Sequence, residues 1–203
     1  MKNIKFTANK DQPVINVLMS GVGGQGVLVA SDIIVLVAMY ADLDAKKSEV
    51  HGMAQRGGSV VSQVRYGKKI YSPLIQMGTA DIVLAFEKLE AVRYLDYLKP
   101  GGIVIINNQQ ITPLSVFFSN IPYPEKIDTI CQKKTENVVT VDGINMAEEL
   151  GNPRTLNTIM LGALSNFLEF NEQCWLEGIE QRVPPKTLEL NRNAFQAGRM
   201  VVG

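Results

Sequence analysis

The stretch Val14-Ile15-Asn16-Val17-Leu18-Met19-Ser20-Gly21-Val22-Gly23-Gly24-Gln25-Gly26 decides the fold. Its first half is a nearly unbroken apolar run, as expected of a strand buried on both faces. Its second half is a glycine turn, and a further apolar run from Val27 to Ala41 follows. Strand, tight turn and helix therefore succeed one another, with backbone N–H groups pointing out of the helix N-terminus.

Working outward, strand-like runs recur at Val60–Tyr66, Asp81–Phe86, Ile103–Asn107 and Asn137–Asp142. Helical periodicity is read over Glu87–Leu98, a short piece near Tyr123–Lys133, Asn145–Leu150, Thr155–Phe170, Glu172–Arg182 and Lys186–Met200. Pro100-Gly101-Gly102 is expected to stop the chain between helix and strand. Gly67-Lys68-Lys69 suggests a hairpin turn into a short edge strand at Ile70–Ile75. Lys2 to Gln12 is polar and expected to be loosely held, and Ala41 to Lys47 shows no convincing strand. Strands separated by helices predict an α/β fold: a Rossmann-like, doubly wound, mostly parallel sheet with helices on both faces and a helical C-terminal third. The division expected is an α/β core over 1–142 with 143–203 packed on it.

The 203 residues are 46% hydrophobic and 20% charged, which is ordinary for a globular chain. Twenty basic residues balance twenty acidic ones, so the basic excess of a nucleic-acid binder is missing. Cys131 and Cys174 stand far apart in no metal-ligand spacing, and read as free thiols of a reducing compartment, the cytoplasm. Met1 to Pro13 has no apolar core of a secretory signal. Val27 to Ala41 is shorter than the roughly 20 residues a membrane helix needs and contains Asp32.

Two stretches carry chemistry. Gly21-x-Gly23-x-x-Gly26 has the form of a dinucleotide fingerprint, and the candidate cofactor-binding residues are Gly21, Gly23, Gly24, Gln25 and Gly26 as an anion or phosphate loop. Asp42 and Asp44 lie near the distance where the fingerprint wants a ribose-binding acid, yet no apolar strand precedes them. The same glycines serve equally for packing a helix on a sheet. The second stretch, Ser48 to Ser59, holds the only histidine of the chain. Glu49, His51 and Arg56 are candidate catalytic residues, His51 as general base, Glu49 orienting it and Arg56 holding an anion. Gln55, Arg56, Gly57 and Gly58 are candidate interface residues, the glycines permitting close approach of a partner. No Walker-type phosphate loop, nucleophile elbow, CxxC or thiamine-binding Gly-Asp-Gly…Asn accompanies them. A free-standing NAD- or flavin-binding oxidoreductase and a scaffold module binding no ligand therefore stay open.

Read together, Gly21-Val22-Gly23-Gly24-Gln25-Gly26-Val27-Leu28 and Lys47-Ser48-Glu49-Val50-His51-Gly52-Met53-Ala54-Gln55-Arg56-Gly57-Gly58-Ser59-Val60 resemble the gamma-type subunits of 2-oxoacid:ferredoxin oxidoreductases. Asp81–Glu87 and Leu98–Gly102 continue the resemblance. It fades after about Val141, though Asn157–Leu164 and Asn191–Gly198 share it. The resemblance implies a subunit that supports CoA-dependent oxidative decarboxylation of an aryl 2-oxoacid, of the indolepyruvate kind, to an aryl-acetyl-CoA. It further implies that thiamine diphosphate, magnesium and iron–sulfur clusters sit on a larger partner subunit and that ferredoxin accepts the electrons. Coenzyme A enters as co-substrate, and the chain by itself is expected to be inactive, to bind no metal and to work in a homo- or hetero-oligomer.

Overall fold

The computed structural model describes residues 4–10, 12–52, 58–113 and 122–202, and of His51 the backbone alone. Six strands form one sheet: β1 (Val14–Val22), β2 (Asp44–His51), β3 (Ser59–Gly67), β4 (Ala80–Ala85), β5 (Leu98–Asn107) and β6 (Val138–Val141). Their order is β2-β3-β1-β4-β5-β6. The pairs β1·β4, β4·β5 and β5·β6 are parallel, while β1·β3 and β2·β3 are antiparallel. The α/β class expected from the sequence is thus realised on a mixed sheet, with an antiparallel hairpin forming one edge.

Seven α-helices are described: α1 (Val27–Tyr40), α2 (Lys88–Arg93), α3 (Ile127–Gln132), α4 (Gly143–Glu149), α5 (Leu156–Ser165), α6 (Glu172–Arg182) and α7 (Leu188–Met200). One core gathers Val17 and Met19 of β1, Ile33 and Val37 of α1, and Ile159, Trp175 and Phe195 of α5, α6 and α7. The other gathers Leu18, Val83 and Val104 of the sheet's opposite face with Ala91 of α2 and Cys131 of α3. Alternation along β1 divides its side chains between the two. Each such buried Val, Leu or Ile contributes roughly 1.5–3 kcal/mol.

Several expectations need correction. Asp44–His51 is a strand despite its polarity, because as an edge strand it buries only one side and uses Lys47 to pair with Asp32 of α1. Apolar periodicity cannot find such a segment. Residues 70–75 are not a strand. Asp44 accepts from the Ile70 N–H at 2.8 Å, and Arg65 donates to the Ser72 carbonyl at 2.8 Å, drawing the chain out of the sheet plane. Pro100-Gly101-Gly102 does not end an element but lies inside β5, at a register shift where Gly101 takes φ 74°. The helix expected over Glu87–Leu98 is α2 followed by a 3-10 turn at Leu95–Tyr97. The lead-in is tied down: Phe6 is buried, and its N–H donates to the Phe167 carbonyl at 2.8 Å.

The C-terminal helices meet through glycines. A Cβ on Gly162 of α5 would stand 2.2 Å from the Phe195 carbonyl oxygen, and one on Gly198 of α7 2.0 Å from that of Ile159. Only hydrogen fits there, so the two backbones touch. Buried Thr158 donates to Asn191 at 2.7 Å across the same contact. Together they place Asn157, at the start of α5, over the glycine loop.

Candidate functional site

The loop at the end of β1 is held from several sides. Gln25 accepts from the Val22 N–H at 2.7 Å, and its amide nitrogen donates to the Phe86 carbonyl and to Gln109 Oε1, each at 2.8 Å. Asn107 donates to the same Phe86 carbonyl at 2.9 Å. Gly26 caps α1 in the left-handed region, at φ 80°, and no side chain caps this helix. A Cβ at Gly21 would meet Val27, Gln25 and Phe86 within 2.9 Å, and one at Gly26 would meet Asn157 at 3.0 Å. Those two glycines are required by packing. Gly24, at φ 102°, faces open space.

The loop and the histidine-bearing segment come together. Gly23 donates its N–H to the Gly58 carbonyl at 3.0 Å, so this amide is committed to the fold and not to a ligand. Gly52 donates to the Ser59 carbonyl at 2.8 Å, closing the β2–β3 hairpin, and Ser59 donates its hydroxyl to buried Glu90 of α2. Gln55, Arg56 and Gly57 lie outside the described residues, as does the side chain of His51. Glu49 of β2 lies on the sheet face that α1 covers. Lys47, also on that face, pairs with both Glu49 and Asp32, and Arg182 of α6 donates to Asp32 at 2.7 Å. Burial raises the Asp32 carboxyl, but the hydrogen bonds of Lys47 and Arg182 prevail and hold it below the ordinary carboxylate value. Burial likewise lowers Lys47, yet its two carboxylate partners leave it raised.

The topology disposes of the dinucleotide fingerprint's second half. A ribose-binding acid belongs on a parallel strand beside β1. Here β2 is separated from β1 by β3, and β3 runs antiparallel to β1. The parallel neighbour is β4, followed by Glu87, whose carboxylate caps α2 and accepts from the Ile111 N–H at 3.0 Å and from the Tyr123 hydroxyl at 2.6 Å. Burial and that carboxylate push the Tyr123 phenol up, which keeps it a proton donor.

A cleft of about 410 Å³ opens beside the loop, lined among others by Gly24, Gln25, Gly26, Gln109, Arg154 and Asn157. A second, of about 380 Å³, shares Arg154 and Asn157 with it and adds Arg182, Lys186 and Asn191. Arg154 is exposed, and its guanidinium makes no hydrogen bond or ion pair among the described residues. Asn157 is buried, yet its amide nitrogen donates to nothing there while bordering both clefts. An unpartnered cation, an unspent amide donor and the free N–H groups of an uncapped helix start can together hold an anion. Arg154 escaped the sequence reading because it lies about 130 residues from the loop; the signal available was Asn157, a polar residue on the apolar face of a predicted helix. Among the described residues no group of three or more His, Cys, Asp or Glu could hold a metal ion, and no helix is long and apolar enough to cross a membrane.

Comparison with known proteins identifies the family. The family model described as pyruvate ferredoxin/flavodoxin oxidoreductase matches residues 16–201. The indolepyruvate oxidoreductase subunit IorB of Thermococcus kodakarensis is 39% identical over 189 residues, covering 90% of this chain and 93% of that one. The 2-oxoglutarate synthase subunit KorC of Methanothermobacter marburgensis is 28% identical over 188 residues, 91% of this chain and 94% of its own. Among solved structures, the gamma subunit of a keto/oxoacid ferredoxin oxidoreductase from Geobacter sulfurreducens superposes with a TM-score of 0.68 at 25% identity, covering 93% of this chain and 98% of that one. The chain therefore belongs to the pyruvate ferredoxin/flavodoxin oxidoreductase family and is a small subunit of a multi-subunit 2-oxoacid:ferredoxin oxidoreductase.

Proposed function

We propose that this chain is the smaller subunit of an indolepyruvate:ferredoxin oxidoreductase. The enzyme decarboxylates an aryl 2-oxoacid oxidatively, transfers the acyl group to coenzyme A and passes two electrons to ferredoxin. The observation that carries the substrate assignment is the 39% identity to an indolepyruvate oxidoreductase subunit over nine-tenths of the chain, against 28% to a 2-oxoglutarate synthase subunit. An iron–sulfur cluster takes four cysteine thiolates, and this chain has two cysteines, one buried in α3 and one in α6. Its residues do not fit such a cluster, so clusters and thiamine diphosphate with its magnesium are assigned to a larger catalytic subunit. The working compartment proposed is the cytoplasm.

Within that complex this chain's residues bind and position. The N–H groups at the start of α1, with Arg154 and Asn157, receive a phosphate of coenzyme A in the cleft beside Gly24. The Gln55–Gly58 segment, of which Gly58 accepts from the Gly23 N–H of the loop, forms the face toward the catalytic subunit. The test is reconstitution with the larger subunit and steady-state kinetics with indolepyruvate and 2-oxoglutarate. Arg154→Ala is expected to raise the apparent KM for coenzyme A about tenfold, the loss of roughly one charge-assisted hydrogen bond, with kcat nearly unchanged. Arg56→Ala is expected to weaken assembly. An unchanged KM for coenzyme A in the first variant and unchanged assembly in the second would sink the proposal.

A further inference from the structure

The sheet face opposite α1 is covered unevenly. Helix α2 packs on β1, β4 and β5, and α3 on β6. In place of a helix, the coil at 70–79 lies over β3 and β1. It is pinned by side chains: Gln63 accepts from the Ile75 N–H at 2.6 Å, Arg65 donates to the carbonyls of Ser72 at 2.8 Å and Leu74 at 3.2 Å, and Asn16 donates to that of Thr79 at 2.9 Å. Ile75 points inward and is buried. Its neighbours do not: Tyr71 is 89% exposed, Leu74 57% and Met77 71%, and Val50 of the adjoining β2 is 57% exposed. These are four of the eight exposed large apolar side chains among the described residues. Val50 pairs in register with Val61, which faces this same core, so it sits on the coil's side of the sheet.

Such a group is costly to leave in water and marks an interaction surface. Because the coil is already fixed by hydrogen bonds, docking on it orders little new backbone. The fringe is basic along β2 and the turn after β3: Lys46, Lys68 and Lys69 are exposed, and Lys46 and Lys69 stand near Asp44, whose carboxylate accepts from the Ile70 N–H, while exposed Asp96, whose carbonyl accepts from the Gly78 N–H, lies at the Met77 end. The surface is also continuous, through β2 and β3, with the hairpin loop that bears Gly58.

We propose that Val50, Tyr71, Leu74 and Met77, with Lys46 and Lys69 at the rim, form a docking surface for an apolar patch fringed by carboxylates on the larger subunit of the oxidoreductase. The inference rests on the assignment of this chain as a subunit of that complex and extends its contact beyond the Gln55–Gly58 segment. A second copy of this chain fits less well, since two such basic fringes would repel.

The experiment is assembly of the larger subunit with the wild-type chain and with Val50→Glu/Leu74→Glu, by light scattering on a sizing column. A second variant, Tyr71→Ala, serves if the first fails to fold. Expected is a loss of affinity of at least about a hundredfold for the double variant and about tenfold for Tyr71→Ala, as for buried anchors of an interface, with thermal midpoints unchanged. Lys46→Glu/Lys69→Glu is expected to slow association and to reverse its dependence on salt, since added salt then screens a repulsion. Wild-type affinity in a folded double variant overturns the proposal, as does a loss of self-association alone. Failure of the wild-type chain itself to assemble would refute the subunit assignment instead.

Discussion

The two faces of the sheet are built differently. One carries α1, α5, α6 and α7, of 14, 10, 11 and 13 residues, which pack on one another as well as on the strands. The other carries α2 and α3, of six residues each, and a coil. On the thick face, helices approach to backbone contact through Gly162 and Gly198, and polar groups such as Thr158 and Asn191 find each other. On the thin face, strand carboxylates, amides and guanidinium groups do what helices do elsewhere, as Gln63 and Arg65 do for the coil. The difference teaches where tolerance to change is to be expected. Stability concentrates on the thick face, and the thin face is left available.

The strongest challenge to that division is Gly198→Ala. Its new methyl would lie 2.0 Å from the Ile159 carbonyl oxygen, which forces α5 and α7 apart. A loss of about 3 kcal/mol is expected from urea denaturation, at the upper end of overpacking costs. Tyr71→Ala on the thin face is expected to stay within about 0.5 kcal/mol of wild type. Equal losses would break the comparison.

The two thiols sharpen it. Burial pushes Cys131, beneath the thin face, up to about 11, and raises half-buried Cys174 as well. At pH 8, iodoacetamide is expected to label Cys174 and to leave Cys131 unmodified until the protein unfolds. A thiol that stays protonated in the fold while the unfolded one ionises adds stability that is intact below about 9 and lost as pH rises to about 11. A wild-type stability that falls across this interval, flattened by Cys131→Ala, checks the sign. Rapid labelling of Cys131 would mean that six-residue α3 is a poor cover.

A comparably small effect is expected at Lys47→Met. Its ion pairs with Asp32 and Glu49 are partly exposed, so a cost of about 0.5 kcal/mol is expected. A larger loss would mean that the link between α1 and the edge strand matters more to stability than the solvent around it suggests.

The sequence made the thick face readable and the thin face obscure, for one physical reason. Apolar periodicity reports burial, so Val27–Tyr40 and Glu172–Arg182 were legible nearly to the residue, whereas β1 runs on through Gly21 and Val22, which read as part of the glycine turn. Asp44–His51 buries one side only and reads as polar coil, while Ile70–Ile75 looks like a strand because Ile70 and Ile75 turn inward from a coil. For the site, the sequence identified the glycine loop and its hairpin companion, and the Gly23–Gly58 hydrogen bond joins them. The placement of Arg154 beside the loop and of Glu90 against Ser59 was not legible, since both arise across long sequence separations. The fingerprint glycines misled for a related reason: Gly21 and Gly26 stand against Val27, Phe86 and Asn157, while Gly24, outside the fingerprint, faces open space.

The Phe86 carbonyl accepts from both Gln25 and Asn107. Both lone pairs of that oxygen are spoken for, and Phe86 directly follows β4, a central and fully buried strand. The loop is thereby moored to the buried centre of the sheet before any ligand arrives. A phosphate bound beside Gly24, as proposed above, would meet a loop held in place beforehand and would cost little conformational entropy of the protein. Its association should then register in calorimetry as a small heat-capacity change, without the signature of a segment folding around its ligand.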